Sequence, residues 1–367
     1  MHTPSILLLA AACMVAPLAS QGFTQTAPAE VAEVSRRQTV EDLATKLVDR
    51  YVFPEVGQKY ATMLRANAAA GKYDSLADNA QFAKQVTDDL EAVAFDGHLK
   101  LVPTDTAPAS GGGGGPPKKL PETIEVQTRL TSEIAYIRIG KFFSEPEGIA
   151  GITKFLDDNK DAKTIIFDVR THVGGGLDEM DAMFPYIFDK ETVLVGMDTR
   201  AGIDSPLGDG PRLRKAAAPA SVVRREHFVV PAAGAHPLAK AKIFVLASGR
   251  TGSAGEHFVL SMKRTHRATV VGETTYGAGN FGRTEKIAGG FQAFIANGRT
   301  FDPDTDKGWD YVGVAPNVAV PAAEALTKAL TLSGVPEAEA RALSDKYGPA
   351  AAEVSSKRKA PASVAGI

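Results

Sequence analysis

The sequence of 367 residues predicts an α/β core preceded by a small helical domain, and three patterns indicate this. Apolar residues recur at helical spacing between Val34 and Val93, whereas strand-like and helix-like runs alternate farther along the chain. A stretch rich in glycine and proline, residues 109–118, separates the two parts and is typical of a flexible connector. We therefore predict a helical domain over residues 30–108 and a second domain over residues 119–340.

The helical prediction for the first part rests on apolar residues three and four positions apart. Val40, Leu43 and Leu47 form one such stripe. Further stripes continue up to a turn at residues 96–98, and a strand-like stretch, residues 99–102, follows. Helices should therefore fill this part as far as that turn.

The second part alternates between strands and helices. The predicted strands cover residues 134–139, 164–169, 192–197, 221–230, 243–247 and 268–271, and the predicted helices cover residues 149–156, 254–262 and 322–332. Such alternation is typical of an α/β core. The last stretch, residues 341–367, is rich in Ala, Ser, Lys and Pro towards its end, and we predict a loose tail there.

The charge balance excludes one class of partner. Lys and Arg total 41 against 43 Asp and Glu, which leaves a formal net charge of −2. No basic stripe with interleaved aromatic residues occurs, so we expect no nucleic-acid binding. The sequence contains no cofactor motif, and it carries no indication of an oligomeric state.

We predict a secretory signal peptide within the first 29 residues, with cleavage after Ser20 or after residues 27–29, so we expect a periplasmic or extracellular protein. The apolar run over residues 6–17 is shorter than the ~20 residues that a spanning helix needs, which argues against a stable membrane span. The only cysteine, Cys13, lies in this segment, and Ala10 stands where a lipidation site usually has a larger aliphatic residue. We therefore expect no lipid anchor, and no disulfide or thiol chemistry in the mature chain.

Ser253 is the first candidate for chemistry. It stands between a predicted strand and a predicted helix, where a side chain is exposed and the N–H groups of the first helical turn can face a developing oxyanion. Ser248, in the same loop, is an alternative. Taken alone, Ser253 is better explained as a helix N-cap, because Glu256 completes a capping-box pattern. Thr251 replaces the first glycine of Gly-x-Ser-x-Gly, so an α/β-hydrolase elbow is not predicted.

A glycine loop is the second candidate. Three glycines, residues 174–176, follow a predicted buried strand and let the backbone approach a ligand closely and donate N–H groups. Neither Gly-x-x-x-x-Gly-Lys-Ser/Thr nor Gly-x-Gly-x-x-Gly occurs here, which argues against phosphate binding. A plain tight turn is the remaining alternative.

Four motifs in a fixed order give the chain a family resemblance. They are Asp-x-Arg-x-x-x-Gly-Gly at 168–175, Ser-Ala-x-Glu at 253–256, Gly-Glu-Thr-Thr at 272–275 and Gly-Trp-Asp-Tyr-Val-Gly at 308–313. In this order they resemble the tail-specific, C-terminal-processing serine peptidases from about Val34 to Leu332. A PDZ domain has no room between residues 102 and 120, so the chain resembles the branch of interphotoreceptor retinoid-binding protein (IRBP) and the tricorn core protease. The resemblance implies a crotonase-related (ClpP/crotonase) catalytic core.

The resemblance also implies roles for individual residues. Ser253 would be the nucleophile, with oxyanion N–H groups from Ala254 and from the glycine loop at Gly174 or Gly175. The processing peptidases pair this serine with a lysine in a Gly-Lys-Gly context, but Ala278 stands at that position here. A Ser-Lys dyad is therefore not expected.

The other branch uses a histidine from the helical region and a carboxylate after the serine, and their counterparts are His98 and Asp310. Asp310 replaces the usual Glu, and either carboxylate can orient a histidine that takes the serine proton. His172 stands where the family commonly has asparagine, and it is weighed as a pocket residue, a substitute base or an ordinary loop residue. His257 and His266 lack His-Glu-x-x-His spacing, so no metal site is expected.

The leading expectation is a serine peptidase that hydrolyses peptide or protein substrates through an acyl-enzyme, with Ser253, His98 and Asp310 as its triad. The same acyl-transfer groups would also serve an esterase. A third hypothesis is a non-catalytic binding protein for apolar ligands, because the IRBP-like branch includes such members. The connector would allow closure of the site over a substrate.

Overall fold

The computed structural model describes residues 35–76, 78–105, 120–204, 210–234 and 236–355. Of the two compact units of the chain, Met1–Glu33 and Val34–Ile367, only the second contains described residues. The predicted signal peptide with Cys13, and the predicted connector, lie outside the described residues, as does the chain after residue 355.

Helices and strands alternate through most of the described chain. The helices are Arg36–Arg50 (α1), Pro54–Ala69 (α2), Asn79–Val93 (α3), Pro146–Asp158 (α4), Asp178–Ile187 (α5), Ala254–Arg264 (α6), Ala325–Leu332 (α7), Glu337–Tyr347 (α8) and Ala351–Val354 (α9). The strands are Leu101–Pro103 (β1), Ile124–Arg129 (β2), Ile134–Ile139 (β3), Thr164–Asp168 (β4), Thr192–Arg200 (β5), Leu213–Ala216 (β6), Val222–Val229 (β7), Lys242–Ala247 (β8), Thr269–Gly272 (β9), Asn280–Ile287 (β10), Phe291–Asp302 (β11), Lys307–Gly308 (β12) and Val318–Ala319 (β13). The fold is mixed α/β with an N-terminal helical region, as the sequence predicts.

Six strands form a mostly parallel sheet in the order β13-β9-β8-β4-β3-β2, in which only β2 runs antiparallel to its neighbour. Helices α4, α5 and α6 cover one face of this sheet, and α7 and α8 cover the other. Every residue of β4 is buried, because both faces are covered, and this explains its nearly uninterrupted apolar sequence. The carboxyl ends of β4, β8 and β9 lie at one edge of the sheet.

A second, antiparallel sheet is built around the long strand β11, which pairs along its length with β1, β5, β10 and β12. Strand β1 joins this sheet with Leu101 opposite Ala293. Helices α1, α2 and α3 share one hydrophobic core with β11 residues such as Phe291 and Ile295. The sequence predicts a separately packed helical domain, whereas in the structure these helices are a layer of the same compact unit.

Several element boundaries agree closely with the sequence analysis. Strand β3 covers the predicted residues, and α6 begins at Ala254 as predicted and continues to Arg264. Both elements have strong local signals, since β3 is a compact apolar run and α6 follows a glycine-rich turn. Among the described residues, no helix combines the length and the apolar character that a membrane crossing requires.

The end of the described chain corrects one prediction. The sequence predicts a loose tail over residues 341–367, but α8 and α9 occupy most of the part up to residue 355. The side chain of Val354 is almost fully buried, and the carbonyl oxygen of Tyr347 accepts a hydrogen bond from Tyr136 of β3 (3.4 Å). Helix α8 is stabilised by packing on the parallel sheet and α7, which local composition does not reveal.

Candidate active site

Ser253 lies in the turn between β8 and α6, at the carboxyl edge of the parallel sheet. Strand β8 lies between β4 and β9, so the loops that follow these three strands meet at this edge. The β8 loop is joined to the β4 loop by hydrogen bonds from the hydroxyl of Thr251 to the carbonyl of Val169 (2.7 Å) and from the N–H of Gly252 to the carbonyl of His172 (3.1 Å). The turn that carries Ser253 is therefore fixed by hydrogen bonds to the loop that follows the neighbouring strand β4.

The backbone of Ser253 is strained. Its φ and ψ angles are 53° and −118°, a left-handed conformation that a residue with a side chain rarely adopts. Such a conformation costs about 1–3 kcal/mol and is typical of functional sites. The capping-box interpretation is confirmed for Glu256, whose carboxylate accepts the N–H of Ser253, whereas the hydroxyl of Ser253 makes no side-chain cap hydrogen bond with α6 and has no other partner in the described part of the chain.

Glu256, in the first turn of α6, is the centre of the hydrogen bonds around Ser253. Its fully buried carboxylate accepts from the N–H of Ser253 (2.9 Å), the hydroxyl of Thr275 (2.6 Å) and the N–H groups of Gly277 (2.7 Å) and Ala278 (2.8 Å). Burial raises the pKa of Glu256, and these hydrogen bonds lower it. In the sequence Glu256 belongs to a capping-box pattern and to the Ser-Ala-x-Glu motif, and neither pattern predicts its connection from α6 to the loop after β9.

The glycine loop after β4 passes directly beside Ser253. A Cβ atom on Gly174 would lie 2.8 Å from Cβ and 3.3 Å from Oγ of Ser253. A Cβ atom on Gly175, whose φ is 138°, would overlap the carbonyl oxygen of Phe142. Only glycine fits both positions, because the loop is packed between the serine turn and the segment after β3.

The three predicted oxyanion donors differ in whether their N–H group already makes a hydrogen bond. The N–H of Gly174 donates to Nδ1 of His172 (3.0 Å), so it is already engaged. The N–H of Gly175 and that of Ala254 find no acceptor among the described residues. Ala254 is the first residue of α6, where a helix leaves its N–H groups unpaired. Two of the three predicted donors, one in the first turn of α6 and one in the glycine loop, thus have no acceptor in the described part of the chain.

His172 does not line a pocket, which corrects the weak prediction that placed it there. Its side chain is fully buried, its ring packs against Phe142 with 4.3 Å between centroids, and its Nδ1 accepts the N–H of Gly174. Burial lowers the pKa of His172 to about 3. The neutral, fully buried ring therefore packs against the glycine loop, accepts one of its N–H groups, and is not exposed at the surface where a substrate would bind.

The buried His172 predicts an acid-sensitive contribution to stability. Below its ordinary pKa of 6.5 the unfolded chain binds a proton at this imidazole, whereas the folded chain does not until about pH 3. Relative to a His172→Asn variant, the wild-type free energy of unfolding should therefore fall by up to about 1.4 kcal/mol for each pH unit below 6.5. Urea titrations of both proteins at pH 7.5, 6.0 and 5.0 measure this difference. Buried carboxyl groups with raised pKa change the free energy of unfolding in the opposite direction, but they do so equally in both proteins, so the comparison cancels their effect. A difference between the two proteins that did not change with pH would contradict the lowered pKa of His172.

His98 lies in the turn between α3 and β1 and faces the antiparallel sheet. Its ring lies 4.9 Å from that of Phe294, measured between centroids, and its backbone N–H donates to Oδ1 of Asp96 (2.9 Å). Its Nδ1 is buried and has no hydrogen-bond partner among the described residues. Burial lowers the pKa of His98, as does Lys100, while the charge of Asp96 raises it. A neutral imidazole is the form that a general base requires.

Asp310 follows β12 and is held by backbone donors. Its Oδ1 accepts from the N–H of Gly279 (2.8 Å) and the N–H of Asn280 (3.4 Å). Burial, followed by the charge of Asp96, raises the pKa of Asp310 well above its ordinary value. Among the described residues no hydrogen bond joins His98, Asp310 and Ser253 to one another.

The segment that carries His98 contacts the serine network through Gly97. A Cβ atom on Gly97 would lie 2.8 Å from Cβ of Ala278 and 3.2 Å from the carbonyl oxygen of Gly277. Both residues donate their N–H groups to Glu256, which also holds Ser253. Ala278, which stands where the processing peptidases have lysine, is thus buried against the turn that carries His98. In the described residues, no group of three or more His, Cys, Asp or Glu side chains is arranged to hold a metal ion.

Comparisons with known proteins agree with this geometry. The sequence pattern of peptidase family S41 matches residues 133–320, and the pattern described as the N-terminal domain of Peptidase_S41 in eukaryotic IRBP matches residues 30–136. The first pattern covers the glycine loop, Ser253, Glu256 and Asp310, and the second covers His98.

Solved structures share the fold at low sequence identity. A candidate peptidase from Parabacteroides merdae is 18% identical with a TM-score of 0.55, and the match covers 84% of this chain and 96% of that one. A photosystem II D1 C-terminal processing protease is 14% identical with a TM-score of 0.51, over 87% of this chain and 99% of that one. Since the S41 pattern spans half of the sequence, including the serine turn and the glycine loop, the chain belongs to peptidase family S41, the serine peptidases that its motifs resemble.

Proposed function

We propose that this S41 peptidase hydrolyses peptide bonds in peptide or protein substrates through an acyl-enzyme formed on Ser253. The observation that carries the proposal is the strained turn of Ser253, whose hydroxyl is without a hydrogen bond to the described residues. The unpaired N–H groups of Ala254 and Gly175 support it, because they lie on the two segments that flank this hydroxyl. A nucleophile beside two unpaired backbone donors is the arrangement that acyl transfer requires.

In the proposed reaction, Oγ of Ser253 attacks the carbonyl carbon of the scissile bond while His98 takes the hydroxyl proton. The N–H groups of Ala254 and Gly175 stabilise the carbonyl oxygen as it becomes negative. The carbon–nitrogen bond then breaks, and the leaving amine receives the proton from His98. Water hydrolyses the resulting ester with His98 again acting as base and then acid, which restores the serine.

Asp310 is proposed to orient His98 through its ring nitrogen. The unpartnered Nδ1 of His98 supports this role, because a buried ring nitrogen without a partner in the described chain is available to a carboxylate. The two groups would have to come within hydrogen-bond distance when substrate binds. Catalytic hydrogen bonds are often long in the absence of substrate and shorten when substrate is bound. A protonated imidazole next to Asp310 would also favour its ionised form, against the effect of burial.

We also propose that the core has the crotonase-related fold that the motifs imply. The parallel sheet with helices on both faces supports this, as does the position of Ser253 after a central strand. Export of the chain remains the prediction made from residues 1–29.

A fluorophosphonate probe tests the nucleophile. After labelling of the purified chain, peptide mapping by mass spectrometry should place the adduct on Ser253, and labelling should fall sharply in His98→Ala. In parallel, a proteome-derived peptide library should gain new N-termini on incubation with the wild-type chain, and should gain few with Asp310→Asn.

The outcomes separate the competing hypotheses. Labelling of Ser253 with hydrolysis of p-nitrophenyl esters, but without new peptide N-termini, would indicate an esterase. The absence of any adduct at Ser253 would favour a binding protein for apolar ligands and contradict acyl transfer. Unchanged cleavage by Asp310→Asn would remove Asp310 from the proposed triad while leaving Ser253 in place.

A further inference from the structure

Asp96 is a buried carboxylate beside the proposed base, and the proposed reaction does not use it. Its Oδ1 accepts the backbone N–H groups of His98 (2.9 Å) and Leu99 (3.3 Å). Its Oδ2 accepts the hydroxyl of Tyr51 (2.9 Å) and the side-chain amide of Asn280 (3.5 Å). Only 2% of the residue surface is exposed, so these four donors take the place of solvent around its carboxylate.

These four donors come from three parts of the fold. Tyr51 ends α1, His98 and Leu99 form the turn before β1, and Asn280 begins β10. The backbone N–H of Asn280 also donates to Asp310 (3.4 Å), so Asn280 lies between the two carboxylates. Asp96 thus connects the helical layer, the His98 turn and the segment that holds Asp310.

The charge of Asp96 acts on both proposed partners of Ser253. It raises the pKa of His98, against the larger effect of burial, and it raises the pKa of Asp310. Lys100, from the same segment, also acts on His98 and lowers its pKa, and the residue that faces its ring from β11 is the uncharged Phe294. Asp96 is therefore placed to stabilise a protonated imidazole.

We propose that Asp96 is a positioning residue for His98, with Tyr51 as its anchor in the helical layer. Asp96 fixes the backbone of the His98 turn through Oδ1, and its negative charge acts on the imidazole carried by the same turn. Because Tyr51 belongs to the helical layer, the packing of this layer on the antiparallel sheet determines the geometry of the base. This inference rests on the proposed function, in which His98 carries the proton.

The chain offers a matched control in Asp89. Its Oδ2 accepts the hydroxyl of the buried Tyr73 at 2.9 Å, the same distance as between Tyr51 and Asp96, and it lies in the same helical layer. Its other donors are Asn67, Lys72 and Gln85, none of which belongs to the site. Asp89 therefore shares the structural role of Asp96 without its contact to His98.

The experiment compares Asp96→Asn with Asp89→Asn by two readouts. The imidazole ¹⁵N signal of His98, assigned by its loss in His98→Gln, is titrated by NMR, and cleavage kinetics are measured on a peptide substrate from the library. In Asp96→Asn we expect the His98 titration midpoint to fall by about one pH unit, kcat to fall about tenfold or more, and KM to stay within about twofold. The Asp89→Asn variant should match the wild type in both. The titration is repeated in the Asp310→Asn background, so that ionisation of Asp310 cannot compensate.

A second pair covers the case in which Asp96→Asn fails to fold. Tyr51→Phe should slow turnover several-fold at unchanged KM, whereas Tyr73→Phe should not, although both remove a buried tyrosine–aspartate hydrogen bond. Equal His98 midpoints in Asp96→Asn and Asp89→Asn, or equal turnover in the two Phe variants, would overturn the inference. If the wild type cleaves nothing but the midpoint still falls in Asp96→Asn, the proposed function fails while the assignment of Asp96 to His98 stands.

Discussion

Ser253→Ala is expected to lower turnover by about 10⁴-fold or more, because the acyl-enzyme cannot form without the hydroxyl. The variant should fold normally, since Oγ of Ser253 makes no hydrogen bond with the described residues. Peptide cleavage, fluorophosphonate labelling and urea unfolding of the purified variant measure these two properties separately. Turnover within tenfold of the wild type would show that another group performs the attack.

Ser248→Ala is the matched control for this prediction. Ser248 lies in the same loop, and it was the alternative nucleophile in the sequence. Its hydroxyl is fully buried, donates to the carbonyl of Arg170 (2.6 Å) and accepts the N–H of Arg250 (3.0 Å). Its removal should lower the free energy of unfolding by about 1–3 kcal/mol, because the buried carbonyl of Arg170 and the half-buried N–H of Arg250 lose their partner, while the Ser253 adduct still forms. Ser253→Ala should therefore lower activity and leave stability unchanged, whereas Ser248→Ala should lower stability and leave the labelling of Ser253 intact.

Glu256→Ala has the largest expected effect on stability. It leaves four donors without an acceptor, the half-buried N–H of Ser253 before α6 and three buried donors on the loop after β9. We expect the free energy of unfolding to fall by about 4 kcal/mol, the range for breaking a buried hydrogen-bonded charge network. Labelling of Ser253 should slow as well, because its backbone N–H is no longer fixed. Denaturant titration and the rate of fluorophosphonate labelling measure the two effects.

A pair of isosteric variants distinguishes this network from burial alone. In Glu256→Gln the side-chain NH2 group would face N–H donors, which it cannot accept. The substitution should therefore still lower the free energy of unfolding strongly. Glu179→Gln changes another fully buried glutamate, and burial also raises the pKa of that residue. Its carboxylate makes fewer hydrogen bonds: one oxygen accepts the N–H of Ser144 (2.8 Å), and the other has no partner among the described residues. Its cost should stay near 1 kcal/mol or less. Equal costs for the two variants would contradict the role assigned to Glu256.

The sequence by itself determined the fold class, several strand and helix boundaries, and the place of Ser253. These features are local: an apolar run such as β3, a glycine-rich turn before α6, and motifs whose residues are neighbours in the chain. The order of four such motifs was also sufficient to indicate the family that residues 133–320 match. Local signals were sufficient because each is contained within one element or one loop.

The tertiary structure alone decided which residues support Ser253. Glu256 caps α6 as its pattern predicts but also accepts from a loop about 20 residues farther along, and His172, for which the sequence left a pocket, base or loop role open, is buried against the glycine loop. Asp96 acquires its connection to Tyr51 across 45 residues, and α8 is stabilised by packing on α7. These roles arise from burial and hydrogen bonds between segments distant in the chain, whose energies no local pattern records.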